Sequence, residues 1–358
     1  MELTATRAGT VRGVVPAATL MGATLLSLVG STWDIQWHSD VGPDTFFTVP
    51  HLLLYAGAAL AGFVSLAVVL ATTAAQRAGR PVDPTVGGRP IRIFGGVFTA
   101  PIGYVVSGTG AALFLLYGLW DLWWHSLYGF DAVIDSPPHI GLLLGDMITS
   151  IGLIIVFAAG KANRWMAAGA LTAIAVLLTS STVTVLGLSQ LPGPVRATDA
   201  GTAFLAVMLL AIGLGFLGRV GVLATAGIVA ALQLLFWWFA PWSARAYADA
   251  VGLVVRDYID GVPVTPALVP FCLLPVAGLI ALLHRVPVVA GGLAGLVITL
   301  CAPLQRMWLY DAPSPAVTRL LWTCAAGVVL GLLGGYLGSR YGAMLRNVAP
   351  TTTEVRDA

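Results

Sequence analysis

Ten runs of about twenty mostly apolar residues follow one another along this chain, each long enough to cross a bilayer as a helix. Inside a bilayer, backbone groups must find their hydrogen bonds within the protein, which leaves helices and closed barrels as the only spanning structures. The sequence therefore predicts an all-α, polytopic integral membrane bundle. The predicted spans are 13–37, 49–75, 100–127, 138–160, 165–188, 200–218, 220–240, 265–284, 286–304 and 315–338.

Charge is scarce, and this excludes several classes of function. Only 9% of the residues are charged, compared with about 25% in soluble domains. The formal net charge of +2 gives no reason to expect nucleic acid as a partner. The three cysteines, Cys272, Cys301 and Cys324, are isolated within apolar runs, so thiolate metal ligands are not expected. The partner that the composition requires is the lipid bilayer.

Lysine and arginine predict the orientation of the bundle. With the N-terminus inside, five of the eighteen fall in outer segments and thirteen in cytoplasmic segments. This excess indicates that both termini are cytoplasmic. We therefore expect a multi-pass protein of the plasma (inner) membrane. The longest cytoplasmic loop, 76–98, is rich in Arg, Gly and Pro and is expected to be irregular.

A duplicated motif is the main polar feature of the chain. The first copy contains Trp33, Asp34, His38, Asp44 and His51, and the second contains Trp120, Asp121, His125, Asp131 and His139. The copies are 87 residues apart, and 88 apart at the last histidine. The duplication predicts two hairpins of the same direction within 1–160, related by a pseudo-two-fold axis along the membrane normal. Six further helices are expected over 161–345, and a disordered cytoplasmic tail over 346–358.

The spacing within each copy suits a metal ion. Asp34 and His38 are four residues apart, which places them on one face of a helix. Pro50 precedes His51 and favours the start of the returning helix, which brings this histidine to the same level. The second copy repeats the pattern. Each hairpin thus offers two His and one Asp with open coordination positions, which suits copper, iron or zinc. The alternative is interfacial capping within an aromatic belt.

Other residues of the motif are candidates for supporting roles. Asp44 and Asp131 are expected to accept hydrogen bonds from the ligand imidazoles, or else to solvate the loops. Trp33 and Trp120 are expected to wall the metal pocket, or else to anchor the helices at the membrane interface. Asp146 lies two turns after His139 and is a candidate proton relay, with a plain interhelical hydrogen bond as the alternative.

The ligand spacing resembles that of one membrane-embedded, metal-binding subunit of the copper membrane monooxygenases, the particulate methane and ammonia monooxygenases. In that family, an Asp, a His four residues later and a His thirteen after the Asp form one copper site. An Asn with a His four and a His fourteen residues later forms a neighbouring site. Asp34, His38 and His51 match the first spacing. Asp121, His125 and His139 match the second, with Asp121 in the position of the Asn.

The resemblance covers about residues 15–160 and implies a function. It implies one or two copper ions, in neighbouring sites on the extracytoplasmic side, and O2-dependent hydroxylation of a small apolar substrate. It also implies a homo- or hetero-oligomer with other membrane subunits or an extracytoplasmic copper or electron donor. Two alternatives remain open from the residues alone. One is non-enzymatic binding, delivery or transport of copper or zinc, and the other is a diheme protein with histidine axial ligands.

Overall fold

The chain folds into a bundle of apolar helices. The structure is a computed structural model that describes residues 2–42, 45–129, 134–259 and 261–349, with side chains from residue 13 onward. Over these residues, nine helices are long and apolar enough to cross a membrane, so this is an all-α protein of the membrane type. The helices are α1 (Glu2–Asp40), α2 (Val49–Arg77), α3 (Ile102–Tyr128), α4 (Pro137–Ala159), α5 (Arg164–Thr184), α6 (Ala197–Val251), α7 (Val264–Leu268), α8 (Leu273–Leu282), α9 (Pro287–Tyr310) and α10 (Val317–Leu345).

The first four helices form two hairpins, and each returning helix begins at a proline. Pro50 and Pro137 lie in the first turns of α2 and α4. Proline suits this position because its fixed φ is already helical and its missing N–H has no partner to lose. In α4 the start is also capped, because the Ser136 hydroxyl accepts a hydrogen bond from the backbone N–H of His139. Both hairpins therefore set a histidine in the first turn of the second helix.

Two predicted spans, 200–218 and 220–240, are parts of one 55-residue helix, α6. This helix is broken at Leu217 and Gly218, where Gly218 takes a φ of 65°. A β-carbon placed on Gly213 would lie 2.9 Å from Oγ1 of Thr225. In a straight helix these residues would be about 18 Å apart along the axis. The chain therefore reverses at Gly218, and α6 is itself a hairpin of two helices.

The span predicted at 265–284 is interrupted. Helices α7 and α8 are separated by residues 269–272, where backbone groups lack helical partners. Gln233 donates to the carbonyls of Pro266 and Val269, and Gln305 donates to those of Ala267 and Val269. Gln305 also accepts from the N–H of Phe271 at 2.9 Å. Irregular backbone is tolerated at membrane depth only where protein satisfies it, and these two amides do so.

The loop predicted to be irregular contains a short β-hairpin. Strand β1 (Pro90–Ile93) pairs antiparallel with strand β2 (Phe98–Pro101). The expectation for this loop was wrong in that part, because its Gly-Gly turn allows the strands to meet: Gly95 and Gly96 both have positive φ. Of the predicted tail, residues 346–349 form a turn, and 350–358 lie outside the described residues.

One hydrophobic core joins the duplicated hairpins to the later helices. It runs from Ala17 and Leu20 of α1 through Ile174 of α5 to Ile298 of α9. The hairpins of 1–160 and the helices of 161–345 therefore pack against each other. Helices α3 and α4 approach especially closely, since a β-carbon on Gly145 would lie 2.8 Å from the backbone nitrogen of Phe114.

Candidate metal centre

The first three candidate ligands converge on one point. Asp34 and His38 lie in the last turns of α1, and His51 lies in the first turn of α2. The Asp34 Oδ1 atom is 3.1 Å from Nε2 of His51 and 3.8 Å from Nε2 of His38. All three side chains are partly buried. We call these residues the first triad.

The second set repeats this arrangement at the ends of α3 and α4. The Nε2 atom of His125 is 3.5 Å from Oδ2 of Asp121, and that of His139 is 3.3 Å from Oδ1 of the same carboxylate. The imidazole centroids are 5.8 Å apart, compared with 6.3 Å in the first triad. We call Asp121, His125 and His139 the second triad. The hairpin spacing thus produces the same cluster twice.

The distances fit ligands of a single ion. In each triad the potential ligand atoms lie within 4.8 Å of one another. Ligands at about 2.1 Å from a metal are about 3.0 Å apart at a right angle and about 3.4 Å apart in a tetrahedron. The carboxylate–imidazole distances of 3.1, 3.3, 3.5 and 3.8 Å bracket these values. Each triad is therefore compatible with three-point binding of a transition metal.

Backbone carbonyls set the protonation of one histidine in each triad. Nδ1 of His51 lies 3.0 Å from the carbonyl oxygen of Thr45, and Nδ1 of His125 lies 3.1 Å from that of Gly129. A carbonyl oxygen can only accept, so each Nδ1 must carry the proton. In the neutral imidazole, Nε2 then presents a lone pair toward the carboxylate. Two electron-rich atoms face each other stably only if a cation or a second proton lies between them.

The two triads open into one pocket. All six side chains line a cavity of about 210 Å³, together with Thr45, Phe46, Tyr55 and Leu122. Tyr55 lies between the hairpins: its ring is 6.2 Å from that of His51, and a β-carbon on Gly118 of α3 would come within 2.5 Å of it. The absence of a side chain at Gly118 allows α2 and α3 to approach. The triads are therefore neighbours at one end of the bundle.

A larger cavity adjoins this pocket and is mostly apolar. It measures about 450 Å³ and is lined by five of the six triad residues, all except His125. Leu28, Leu54 and Phe114 contribute to its apolar wall, and α5 and α7 also contribute lining residues. Asp146 and Ser180 are the polar residues furthest along the chain from the ligands on α4 and α5. A small uncharged molecule would fit in this cavity beside both triads.

A hydrogen-bond network holds the first triad against the second half of the chain. Gln36 donates to the buried Asp40 at 2.9 Å and accepts from the backbone N–H of Val264 at 2.9 Å. The guanidinium of Arg256 donates to the carbonyls of His38 and Ser39 at 2.9 and 3.0 Å. These contacts satisfy the last carbonyls of α1, which have no helical partner.

The predicted supporting residues lie in different places. Trp33 packs edge-on against Phe239 and Tyr247 of α6, and Trp120 packs against Tyr117 and Trp124. Neither tryptophan lines either cavity near the triads, so the expected wall is formed by other residues. Asp44 and Asp131 lie outside the described residues.

Asp146 lies where a relay would need it. Its carboxyl lines the apolar cavity and hydrogen-bonds with the Ser180 side chain. The polar run that contains Ser180 otherwise satisfies itself, since Thr179, Ser181 and Thr182 donate to carbonyls three or four residues earlier in α5. Asp146 thus makes the interhelical hydrogen bond and also faces the cavity.

Sequence reasoning missed several residues of this region. Tyr55 follows His51 by four residues, so helical spacing could have placed it on the ligand face. Arg256 and Gln36 carried no such signal, because their partners are more than 200 residues away in the chain.

Comparisons with known proteins give no further indication. The chain matches no protein-family model, no curated protein and no solved structure.

Proposed function

We propose that this chain is a membrane metalloprotein that binds two transition-metal ions, one in each triad, and oxidises a small apolar substrate with O2. The observation that carries the proposal is the convergence of six ligand side chains on one pocket, beside a mostly apolar cavity. Interfacial capping requires no such convergence, and it would not place an imidazole Nε2 against a carboxylate oxygen twice.

Copper is the proposed metal. Imidazole ligands suit copper, zinc and iron about equally, so the ligand types alone do not choose. The spacing of four and thirteen residues in the first triad, and of four and fourteen in the second, resembles the copper sites of the membrane monooxygenases. Copper bound there would supply the O2 chemistry. Asp121 adds a negative charge where that family has Asn, which favours a cation in the second site.

The chain's own residues would bind the substrate and handle protons. The apolar wall of the larger cavity would bind a small uncharged molecule next to the triads and limit access of water. Asp146, at hydrogen-bonding distance from Ser180, would hold or pass a proton on the cavity side of α4. A heme is disfavoured because a carboxylate lies between the two imidazoles of each triad.

The sidedness and partners of the protein belong to the same proposal. The excess of Lys and Arg in the predicted cytoplasmic segments supports triads on the extracytoplasmic side of the plasma membrane. Electrons for O2 reduction would come from an external donor or from partner subunits, which supports a hetero-oligomer.

Metal analysis of purified variants tests the binding. Wild-type protein reconstituted with copper is expected to hold about two ions per chain. His38→Ala and His125→Ala should each lose about one. The fifth histidine, His284, is bonded to Arg219 instead and offers a matched control, so His284→Ala should keep both ions. Wild-type protein that holds no copper, iron or zinc would refute the proposal.

A second function is favoured by one observation. The larger cavity extends from the triads toward Asp146 and Ser180, so an ion could move inward from the pocket. A copper or zinc delivery or transport protein would use the same triads. Uptake of the metal by proteoliposomes, lost in His38→Ala, would favour transport. O2 consumption with an apolar substrate, without uptake, would favour oxidation.

A further inference from the structure

A second polar cavity lies away from the triads, where α6, α9 and α10 meet. It measures about 410 Å³, and its charged lining consists of Arg196, Asp199, Arg306 and Arg319. Residues 312–316, with Pro313 and Pro315, form one wall. We call it the arginine pocket. Among the described residues that line it, three guanidinium groups face one carboxylate.

The carboxylate is already used by one of the arginines. Arg306 binds Asp199 with two hydrogen bonds, Nη1 to Oδ1 at 2.7 Å and Nη2 to Oδ2 at 2.8 Å. Arg196 lies at 3.6 Å from the same Oδ1, a longer contact. Arg319 reaches only the carbonyl of Gly193, at 3.5 Å. The pocket therefore carries an excess of two positive charges over its lining carboxylate.

The arginines are held close together by the backbone. The hydroxyl of Thr323 accepts from the backbone N–H of Arg196 at 2.9 Å and donates to the carbonyl of Arg319 at 2.7 Å. This contact ties the start of α6 to the first turns of α10. Burial lowers the pKa of Arg196, and the charge of Arg306 lowers it further. Like charges fixed at this separation repel one another unless an anion lies between them.

The start of α10 adds to the positive potential. Its first turn carries backbone N–H groups without helical partners, and Ala316 at the N-cap position makes no side-chain hydrogen bond to them. Ala316, Arg319 and Leu320 all line the arginine pocket. Helix N-termini favour anions through these N–H groups and the helix dipole.

Exposed aromatic residues indicate the depth of the pocket in the membrane. Trp308 follows Arg306 by two residues, and Trp322 follows Arg319 by three; both side chains are exposed. Tryptophan is enriched at the level of the lipid headgroups. The arginine pocket therefore lies at the depth where phosphate groups of lipids are most concentrated.

We propose that the arginine pocket binds a phosphate-type oxyanion, supplied either by a phospholipid headgroup or by free phosphate. Arg196 and Arg319 would bind it directly, since each has guanidinium donors that Asp199 does not use. Arg306 would contribute charge while remaining paired with Asp199. The site is independent of the triads and needs no metal.

The test uses delipidated full-length protein at fixed ionic strength, with two probes. Inorganic phosphate is titrated calorimetrically, and short-chain phosphatidylglycerol is counted by native mass spectrometry. Arg196→Gln and Arg319→Gln should each weaken binding of at least one probe about tenfold. Arg340→Gln, at the opposite end of α10, is the matched control and should bind as wild type does.

The outcomes separate the two sources of the ligand. Binding of phosphatidylglycerol alone would identify a headgroup site, and binding of inorganic phosphate alone would identify a site for a soluble anion. Either result, if sensitive to Arg319→Gln, supports the proposal. Absence of both, or equal binding by wild type and by Arg319→Gln with unchanged circular dichroism, would overturn it.

Discussion

Close packing between α3 and α4 is expected to determine the geometry of the second triad, and a single methyl group tests this. In Gly145→Ala, the new β-carbon would lie 2.8 Å from the nitrogen of Phe114 and 3.0 Å from the carbonyl oxygen of Gly110. Both are backbone atoms of α3, so no side chain can move aside. An ordinary contact begins near 3.4 Å, so the helices must separate by about 0.6 Å.

The magnitude follows from this displacement. Overpacking of this kind costs about 1–3 kcal/mol in free energy of unfolding. Gly145 lies six residues after His139, and Phe114 lies seven residues before Asp121. The displacement should therefore reach the second triad nearly undiminished. Sites need their ligands within about 0.5 Å, so the second site should bind copper more weakly while the first is unchanged.

The assay compares two glycine variants in mixed micelles. Unfolding is followed by helical circular dichroism, and copper is counted per chain. Gly227→Ala is the matched control, because a β-carbon on Gly227 meets nothing within 4 Å. It removes the effect of helix propensity, which favours alanine by up to about 1 kcal/mol. If Gly145→Ala unfolds like Gly227→Ala and keeps both copper ions, the packing argument is wrong.

Three further variants test other parts of the molecule. Arg256→Ala should lower the copper affinity of the first triad but not the second, because it removes the hydrogen bonds to the carbonyls of His38 and Ser39; selective metal titration checks this, and an unchanged first site would contradict it. Gln305→Leu should lower the free energy of unfolding by about 1–3 kcal/mol, because it leaves buried backbone groups between α7 and α8 without partners; denaturant titration measures it. Asp146→Asn should keep full copper but lose at least about tenfold in O2-dependent turnover, and wild-type turnover would remove the relay.

The sequence indicated the cluster within each hairpin well, and the physical reason is local. Asp34 and His38 share a helix face, and Pro50 begins the next helix one residue before His51. Such short-range geometry depends on few contacts. The structure accordingly brings the three side chains of each triad together. Whether a metal binds there stays a prediction.

The relation between the hairpins could not be predicted, because it depends on tertiary packing. The shared pocket exists because Tyr55 of α2 lies over Gly118 of α3, and nothing in the hydropathy pattern indicates that contact. The same limit applies to the spans. Hydropathy did not indicate that Gln233 and Gln305 would support a break between α7 and α8. It also gave no reason to place Val264 and Thr265 at the cavity beside the triads.

Metal binding by the two triads is tested most sharply by a crystal structure of copper-loaded protein, with anomalous scattering measured on both sides of the copper edge. We expect two anomalous peaks, one within about 2.2 Å of the Asp34, His38 and His51 ligand atoms and one equally close to those of Asp121, His125 and His139. Peaks elsewhere in the protein, or none at either cluster in fully copper-loaded crystals, would show that the triads are not metal sites.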